Sequence, residues 1–453
     1  MTGLLSPNSN LSHGAKRMFV VLLVLGFGLR MSYGVLRYRS TLNRSGNAFI
    51  NLWDHDPLYH VLIAKALLSG KGYVVDDFPA SAGKQLRYVG QEALFKAPMY
   101  EFFLAGVFLI SGFSFKLFFP LQALLGGLAA AFTGLISLNV FHRQRAAWFA
   151  GLATAAQPIL VNAAPQPYNE DLFFLLFVVS IWAFLVWLQT DRVKYAVLCA
   201  TMIGLCMLTR ETGSLLLAAM GVVVLAASPM NLHKWTRYCW IATLTIAVVA
   251  PWTLRNYVRF AAFVPVASIV GVDFTEGNNQ CVASESIFVP YWAEGPCPSV
   301  DEERRVQMQT RTFDARVPAC VRLDLASRQV ALQFVKNYPL SYAKLTLRRF
   351  WTSLLPYNPR GNQHRTERIV LLLYWLAVFP AGVAGLILGK KFREPGRMLL
   401  ALVIALNLLS IAAVLYWSDL RFLVGVYLLL ACFAGWTYDE LILWRERQTR
   451  PLA

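Results

Sequence analysis

Apolar runs close to the length needed to cross a bilayer recur from one end of this 453-residue chain to the other. There are about eleven, covering roughly residues 18–36, 98–113, 117–141, 146–164, 172–188, 195–208, 213–227, 240–254, 369–388, 398–415 and 422–438. With 57% hydrophobic residues besides, the chain is expected to be an all-α polytopic membrane protein. The first run exceeds a signal-peptide core and is followed by Arg37, Tyr38 and Arg39 rather than by a small-residue cleavage site. It reads as a retained span.

Basic residues flank several runs: Lys16 and Arg17; Arg192 and Lys194; Lys234 and Arg237; Lys390, Lys391 and Arg393; Arg445 and Arg447. If all of them are cytoplasmic, both termini lie inside and the number of crossings is even. Eleven runs do not satisfy this, and the misfit falls between residues 98 and 164. One of the three runs there is therefore expected not to cross, leaving about ten spans. Two sizeable segments then face outward, residues 37–97 and 255–368. The expected organisation is an N-terminal transmembrane module (1–254), an extracytoplasmic loop or small domain (255–368) and C-terminal spans (369–453).

The net charge of +17 exceeds what cytoplasmic loops need. It points to anionic partners, either lipid headgroups or a phosphate-bearing substrate. Nucleic acid is disfavoured, because no soluble basic domain exists to hold it. Cys199, Cys206, Cys239 and Cys432 lie in or beside apolar runs and read as packing residues. Cys281, Cys297 and Cys320 share the second loop, where two of them would bridge in an oxidising compartment; Cys281–Cys297 closes the shorter loop. The histidines show no zinc spacing, and no Gly-rich phosphate loop is present.

Outside the first run lies the stretch 53–73, WDHDPLYHVLIAKALLSGKGY, with Asp54 and Asp56 two residues apart. Carboxylates beside a span are costly to keep half-dehydrated and usually have a task. Asp56 also sits where a helix N-cap belongs, just before Pro57. Gly70 and Gly72 end the helical segment that follows.

Ala64–Tyr73 (AKALLSGKGY), with an aspartate eight residues upstream, resembles the first-loop signature of the polyprenyl-phosphate-sugar-dependent GT-C membrane glycosyltransferases. These are related to protein O-mannosyltransferases and to the lipid A aminoarabinose transferase. Further elements follow in the family's order: Phe95-Lys96-Ala97-Pro98-Met99-Tyr100, Asn169-Glu170-Asp171-Leu172-Phe173, and the segment 204–211, GLCMLTRE. Pro251-Trp252-Thr253-Leu254-Arg255-Asn256-Tyr257 comes next, with Phe263-Val264-Pro265-Val266 and Gly277-Asn278 after it. Beyond Asn278 only Asp419-Leu420-Arg421-Phe422 matches. Two departures stand out: Ala97 replaces a proline, and the aspartate-to-tyrosine spacing differs by one.

The resemblance implies a GT-C bundle with juxtamembrane helices in the first outer loop. It implies inverting transfer of a sugar from a polyprenyl-phosphate donor to a glycolipid, glycan or protein acceptor, at the outer face of a bacterial plasma membrane. Asp56 is then the candidate base, and Asp54 orients the acceptor, opposes Asp56 by like charge, or joins it on a divalent metal. Lys96, Arg255 and Arg421 are candidates for the donor phosphate, and Glu170 is a second carboxylate at the site. Tyr59, His60 and Tyr73 are expected to pack or to stack on sugar. Arg210 and Glu211, as neighbours, are expected to pair structurally. A lipid or glycan transporter would instead hide its acids at mid-membrane. A periplasmic oligosaccharide ligase or polymerase would account for the late loop but not for the acidic first one.

Overall fold

The computed structural model describes residues 12–45, 55–76, 89–112, 114–228, 231–284, 297–356, 364–389, 394–414 and 420–449. These are helical almost throughout. Among the described residues the only extended pairings are isolated bridges, Val74 with Glu92 and Val75 with Val89.

Three long helices make the centre: α4 (Phe115–Phe141), α7 (Glu170–Thr190) and α18 (Leu420–Gln448). Each is long and apolar enough to cross a membrane and is mostly buried within the protein. Helices α1 (His13–Ser45), α10 (Leu232–Phe260) and α16 (Arg365–Leu388) are apolar but largely uncovered, as lipid-facing spans are. Helix α17 (Pro395–Val414) completes seven helices of membrane length among the described residues. Three shorter apolar helices accompany them: α3 (Pro98–Ser111), α8 (Val193–Thr209) and the segment Glu211–Ala227, which ends in α9 (Ser214–Ala227).

Of the three apolar runs among residues 98–164, only 117–141 forms a helix of membrane length. Residues 146–164 do not form one helix but two, α5 (Gln144–Ala155) and α6 (Pro158–Ala163). Pro158 has no N–H to continue a helix and disfavours helical backbone at Gln157. The Gln157 side chain instead accepts hydrogen bonds from the Ile159 and Leu160 amides and starts α6 afresh.

Close packing at the centre rests on small residues, which let backbones approach where no water drives association. A methyl group on Gly127 of α4 would lie 2.7 Å from the Leu23 carbonyl oxygen and 3.0 Å from the Phe27 nitrogen of α1. Backbone cannot swing aside as a side chain does. Gly127→Ala is expected to lower stability by about 1–3 kcal/mol, read as an earlier thermal unfolding midpoint in detergent.

On one side of this bundle the first and second loops join. Helix α2 (His55–Leu68) begins with Asp56 in its first turn and ends at Gly70 and Gly72, whose φ of 72° and 85° favour glycine. It packs on α3, and the two share a core with Trp252, Val264, Val266, Cys320 and Val321. The second loop supplies α11 (Val270–Gly277), α12 (Gln280–Ser284), α13 (Pro298–Thr310), α14 (Ala319–Asn337) and α15 (Pro339–Ser353). Cys281 and Cys297 are joined by a disulfide, whereas Cys320 is a buried free thiol.

Candidate active site

The site forms where the N-terminus of α2, the approach to α3, the start of α7 and the start of α18 converge. Asp56 projects from the first turn of α2. Its Oδ1 accepts from the Lys96 ammonium at 2.7 Å, and its Oδ2 lies 3.8 Å from an Arg421 guanidinium nitrogen. Lys96 chiefly, opposed by burial and helped by Arg421, holds the Asp56 carboxyl well below the usual carboxylate range. Asp56 is nonetheless 47% exposed, so it is both charged and reachable.

A second carboxylate stands beside it. Glu170, the first residue of α7, is fully buried; Arg210 donates to its Oε1 and Arg421 lies 3.9 Å from the same atom. Arg421 thus stands between both acids and over the Tyr168 ring, 4.9 Å from its centroid. Arg210 also donates to Asn169 Oδ1 from Nε at 3.0 Å and from Nη2 at 2.8 Å, while its guanidinium lies over the Phe173 and Phe422 rings. One residue along, Asp171 pairs with the buried Arg30 at 3.6 Å. Two buried carboxylates, each with its own cation, therefore stand side by side at the head of α7, each cation lessening the cost of its carboxylate's burial.

Arg210 was expected to pair with its neighbour Glu211. Its backbone is extended (φ −154°, ψ 137°), which sends successive side chains to opposite sides, so Arg210 reaches Glu170 instead. Gly213 makes this reversal possible, since a Cβ there would come 2.8 Å from the Met207 nitrogen.

Arg255 does not stand on Asp56. Its guanidinium lies 3.4 Å from Glu92 and 4.8 Å from the Trp252 ring centroid, and Arg259 holds the same carboxylate at 2.7 Å. Tyr59 and His60, expected to pack or to meet sugar, are both buried. Tyr59 meets the Phe95 ring edge-on, and His60 Nδ1 is hydrogen-bonded to Glu101 Oε1 at 2.7 Å. The Tyr73 hydroxyl donates to the Lys96 carbonyl oxygen at 3.0 Å. Asp54 and Asp419 lie outside the described residues.

Sequence reasoning passed over Glu101 and Asp273. A glutamate inside the apolar run 98–113 was a visible signal. Asp273 of α11 carried none; burial first, then the charges of Glu276, Glu211 and Asp56, push its carboxyl well above the usual range.

Of the two carboxylates expected to share a divalent metal, only Asp56 is among the described residues. Asp56 faces two cations, and among the described residues no three His, Cys, Asp or Glu side chains are grouped to hold an ion.

Residues 95–254 match the family described as dolichyl-phosphate-mannose-protein mannosyltransferase. No curated protein matches the chain by sequence. Among solved structures it is similar to the archaeal oligosaccharyltransferase AglB from Archaeoglobus fulgidus, in complex with an inhibitory peptide and a dolichol-phosphate. That likeness has 16% identity and a TM-score of 0.56, covering 98% of this chain and 53% of that one. A second structure of the Archaeoglobus fulgidus oligosaccharyltransferase gives 16% identity and a TM-score of 0.50, over 94% of this chain and 50% of that one. ArnT from Cupriavidus metallidurans, bound to undecaprenyl phosphate, gives 15% and 0.45 over 96% and 81%. The chain spans about half the length of the first two. In fold the chain is thus similar to AglB, and in sequence its residues 95–254 are similar to the dolichyl-phosphate-mannose-protein mannosyltransferases.

Proposed function

We propose that the chain is an inverting glycosyltransferase that moves one sugar from a polyprenyl-phosphate donor to a glycolipid, glycan or protein acceptor. The observation that carries this is the reachable carboxylate of Asp56, held between Lys96 and Arg421, which come from distant parts of the sequence. A dolichol-phosphate bound to AglB, whose fold the chain shares, supports a lipid phosphate as the leaving group.

The acceptor hydroxyl approaches Asp56, and its oxygen attacks the anomeric carbon from the face opposite the lipid phosphate. As that bond forms, the carbon–oxygen bond to phosphate breaks and the electron pair leaves with the phosphate. The acceptor proton passes to Asp56. Lys96 and Arg421 meet the negative charge that builds on the departing oxygen. A cation at ~4 Å, with an effective dielectric of about 20, contributes roughly 4 kcal/mol before desolvation. Such a term acting only in the transition state is worth about a thousandfold in rate.

The site is assigned to the outer face of a bacterial plasma membrane, with both termini inside. Arg143, Arg145, Arg192, Lys194, Arg237 and Arg445 gather at the helix ends away from Asp56, where Arg143 grips Asp439 at 3.0 Å and Glu440 at 2.8 Å. The Cys281–Cys297 bridge on the Asp56 side suits an oxidising compartment.

Purified protein in lipid nanodiscs, given radiolabelled polyprenyl-phosphate sugars, should release lipid phosphate and label an acceptor. Arg421→Ala should lower kcat/KM for the donor by about 10- to 100-fold, less than the bare Coulomb figure because the guanidinium is partly solvated. Movement of intact lipid-linked sugar across the bilayer without transfer would favour a flippase.

A further inference from the structure

Glu101 is the one charged residue of α3, and it is completely buried. An ionisable side chain placed there costs several kcal/mol unless partners repay it, so its contacts indicate what the placement serves. Its Oε1 is 2.7 Å from His60 Nδ1, and the Tyr100 ring meets the same imidazole edge-on at 4.9 Å, so the histidine is held on two sides.

Helical register gives these contacts their meaning. His60 follows Asp56 by four residues on α2, so the two side chains stand on one face, about 5–6 Å apart at Cβ. Fixing the His60 ring therefore fixes the rotation of α2 about its axis, and with it the direction of Asp56. Separately, the Tyr73 hydroxyl holds the Lys96 carbonyl oxygen just before α3 begins. The His60–Glu101 pair thus braces α2 from the buried side, while Asp56 and Lys96 present charge to the open side.

We infer that Glu101 is the positioning residue of the site: through His60 it holds Asp56, and so the Asp56–Lys96 pair, in register for transfer. This rests on the transferase assignment above. The reacting sugar touches neither Glu101 nor His60; both act through Asp56. Misplacing a base by about 1 Å costs on the order of a hundredfold, so a modest loss of register is measurable.

The test uses the full chain in nanodiscs and the transfer assay, with rates normalised to folded protein by size-exclusion and thermal unfolding. Glu101→Gln keeps the shape of the side chain and removes its charge. It is expected to lower kcat about 10-fold with donor KM unchanged. His60→Asn, which removes the imidazole ring held between Glu101 and Tyr100, should produce a similar loss, and the double variant no more than either alone. The decisive comparison is in the Asp56→Asn background, where Glu101→Gln should cost nothing further, because the group it positions has gone. Wild-type kcat in Glu101→Gln, or the same 10-fold loss with and without Asp56, overturns the inference. If Glu101→Gln fails to fold, the His60→Asn comparison in both backgrounds decides in the same way. Wild type that transfers no sugar from any lipid phosphate overturns both the function and this inference. Transfer by wild type with an undiminished Asp56→Asn removes Asp56 as base, and with it the role given to Glu101.

Discussion

Asp56→Asn is expected to reduce sugar transfer by about 10²- to 10⁴-fold while leaving the fold and donor binding intact, since general-base assistance is worth that much. The amide preserves the shape of the side chain but has no place for the acceptor proton. It also frees Lys96 and Arg421 from a negative partner, so lipid phosphate should bind as tightly as before or tighter. A loss of transfer with retained or improved phosphate affinity separates a catalytic role from a structural one. Unchanged transfer would place the base elsewhere.

The pH dependence carries its own sign. In the resting protein Lys96, and after it Arg421, keep Asp56 below the usual carboxylate range. A carboxyl depressed in this way stabilises the fold at pH values above its ordinary titration, and that contribution is lost only as pH falls through the depressed value. It is also a weak base, because it holds a proton poorly. Donor phosphate changes this: it draws the two cations to itself and adds negative charge nearby, and both effects raise the proton affinity of Asp56. The acid limb of kcat, which reports the loaded enzyme, should therefore lie at higher pH than the acid limb of kcat/KM, which reports the free one. Coincident limbs would mean that phosphate does not compete for Lys96 and Arg421.

Asp56 itself could be found in the sequence because a carboxylate before a proline, next to a long apolar run, is costly and conspicuous. The helices were legible for the same reason, since lipid leaves a backbone few other options. Partner choice was far less so. Lys96 and Arg421 flank apolar runs just as Arg255 does, yet Arg255 faces Glu92, and nothing in local spacing distinguishes the three. Arg210 was misread because sequence neighbours are near in space only when the backbone is helical, and here it is extended. The break at Gln157–Pro158 was visible as a proline, but an apolar run does not say whether a proline kinks a helix or ends it. Pro251 lies inside α10, which continues to Phe260.

The second loop illustrates the harder limit, and Arg349 shows what its order depends on. This guanidinium is 6% exposed and sits among backbone carbonyls. It donates from Nη1 to the Ala412 oxygen at 3.0 Å and from Nη2 to the Gly277 oxygen at 2.6 Å and Asn278 Oδ1 at 3.0 Å. Burial lowers its affinity for the proton only to about 10, so it stays charged at neutral pH. One planar group thus joins α15 to the end of α11 and to the end of α17, shortly before α18 begins with Leu420 and Arg421. Arg349→Met fills the space but leaves three buried acceptors without a donor, and should cost about 3–5 kcal/mol of stability. Arg349→Lys keeps the charge, yet a single ammonium cannot span both walls as a forked guanidinium does, so an intermediate loss is expected. Because α17 leads into the segment that carries Arg421, transfer should weaken along with stability, chiefly through donor KM. Thermal unfolding and donor kinetics of the two variants check this together. If Arg349→Met unfolds at the wild-type temperature, the three walls are held by other contacts and the position of Arg421 does not depend on this side chain.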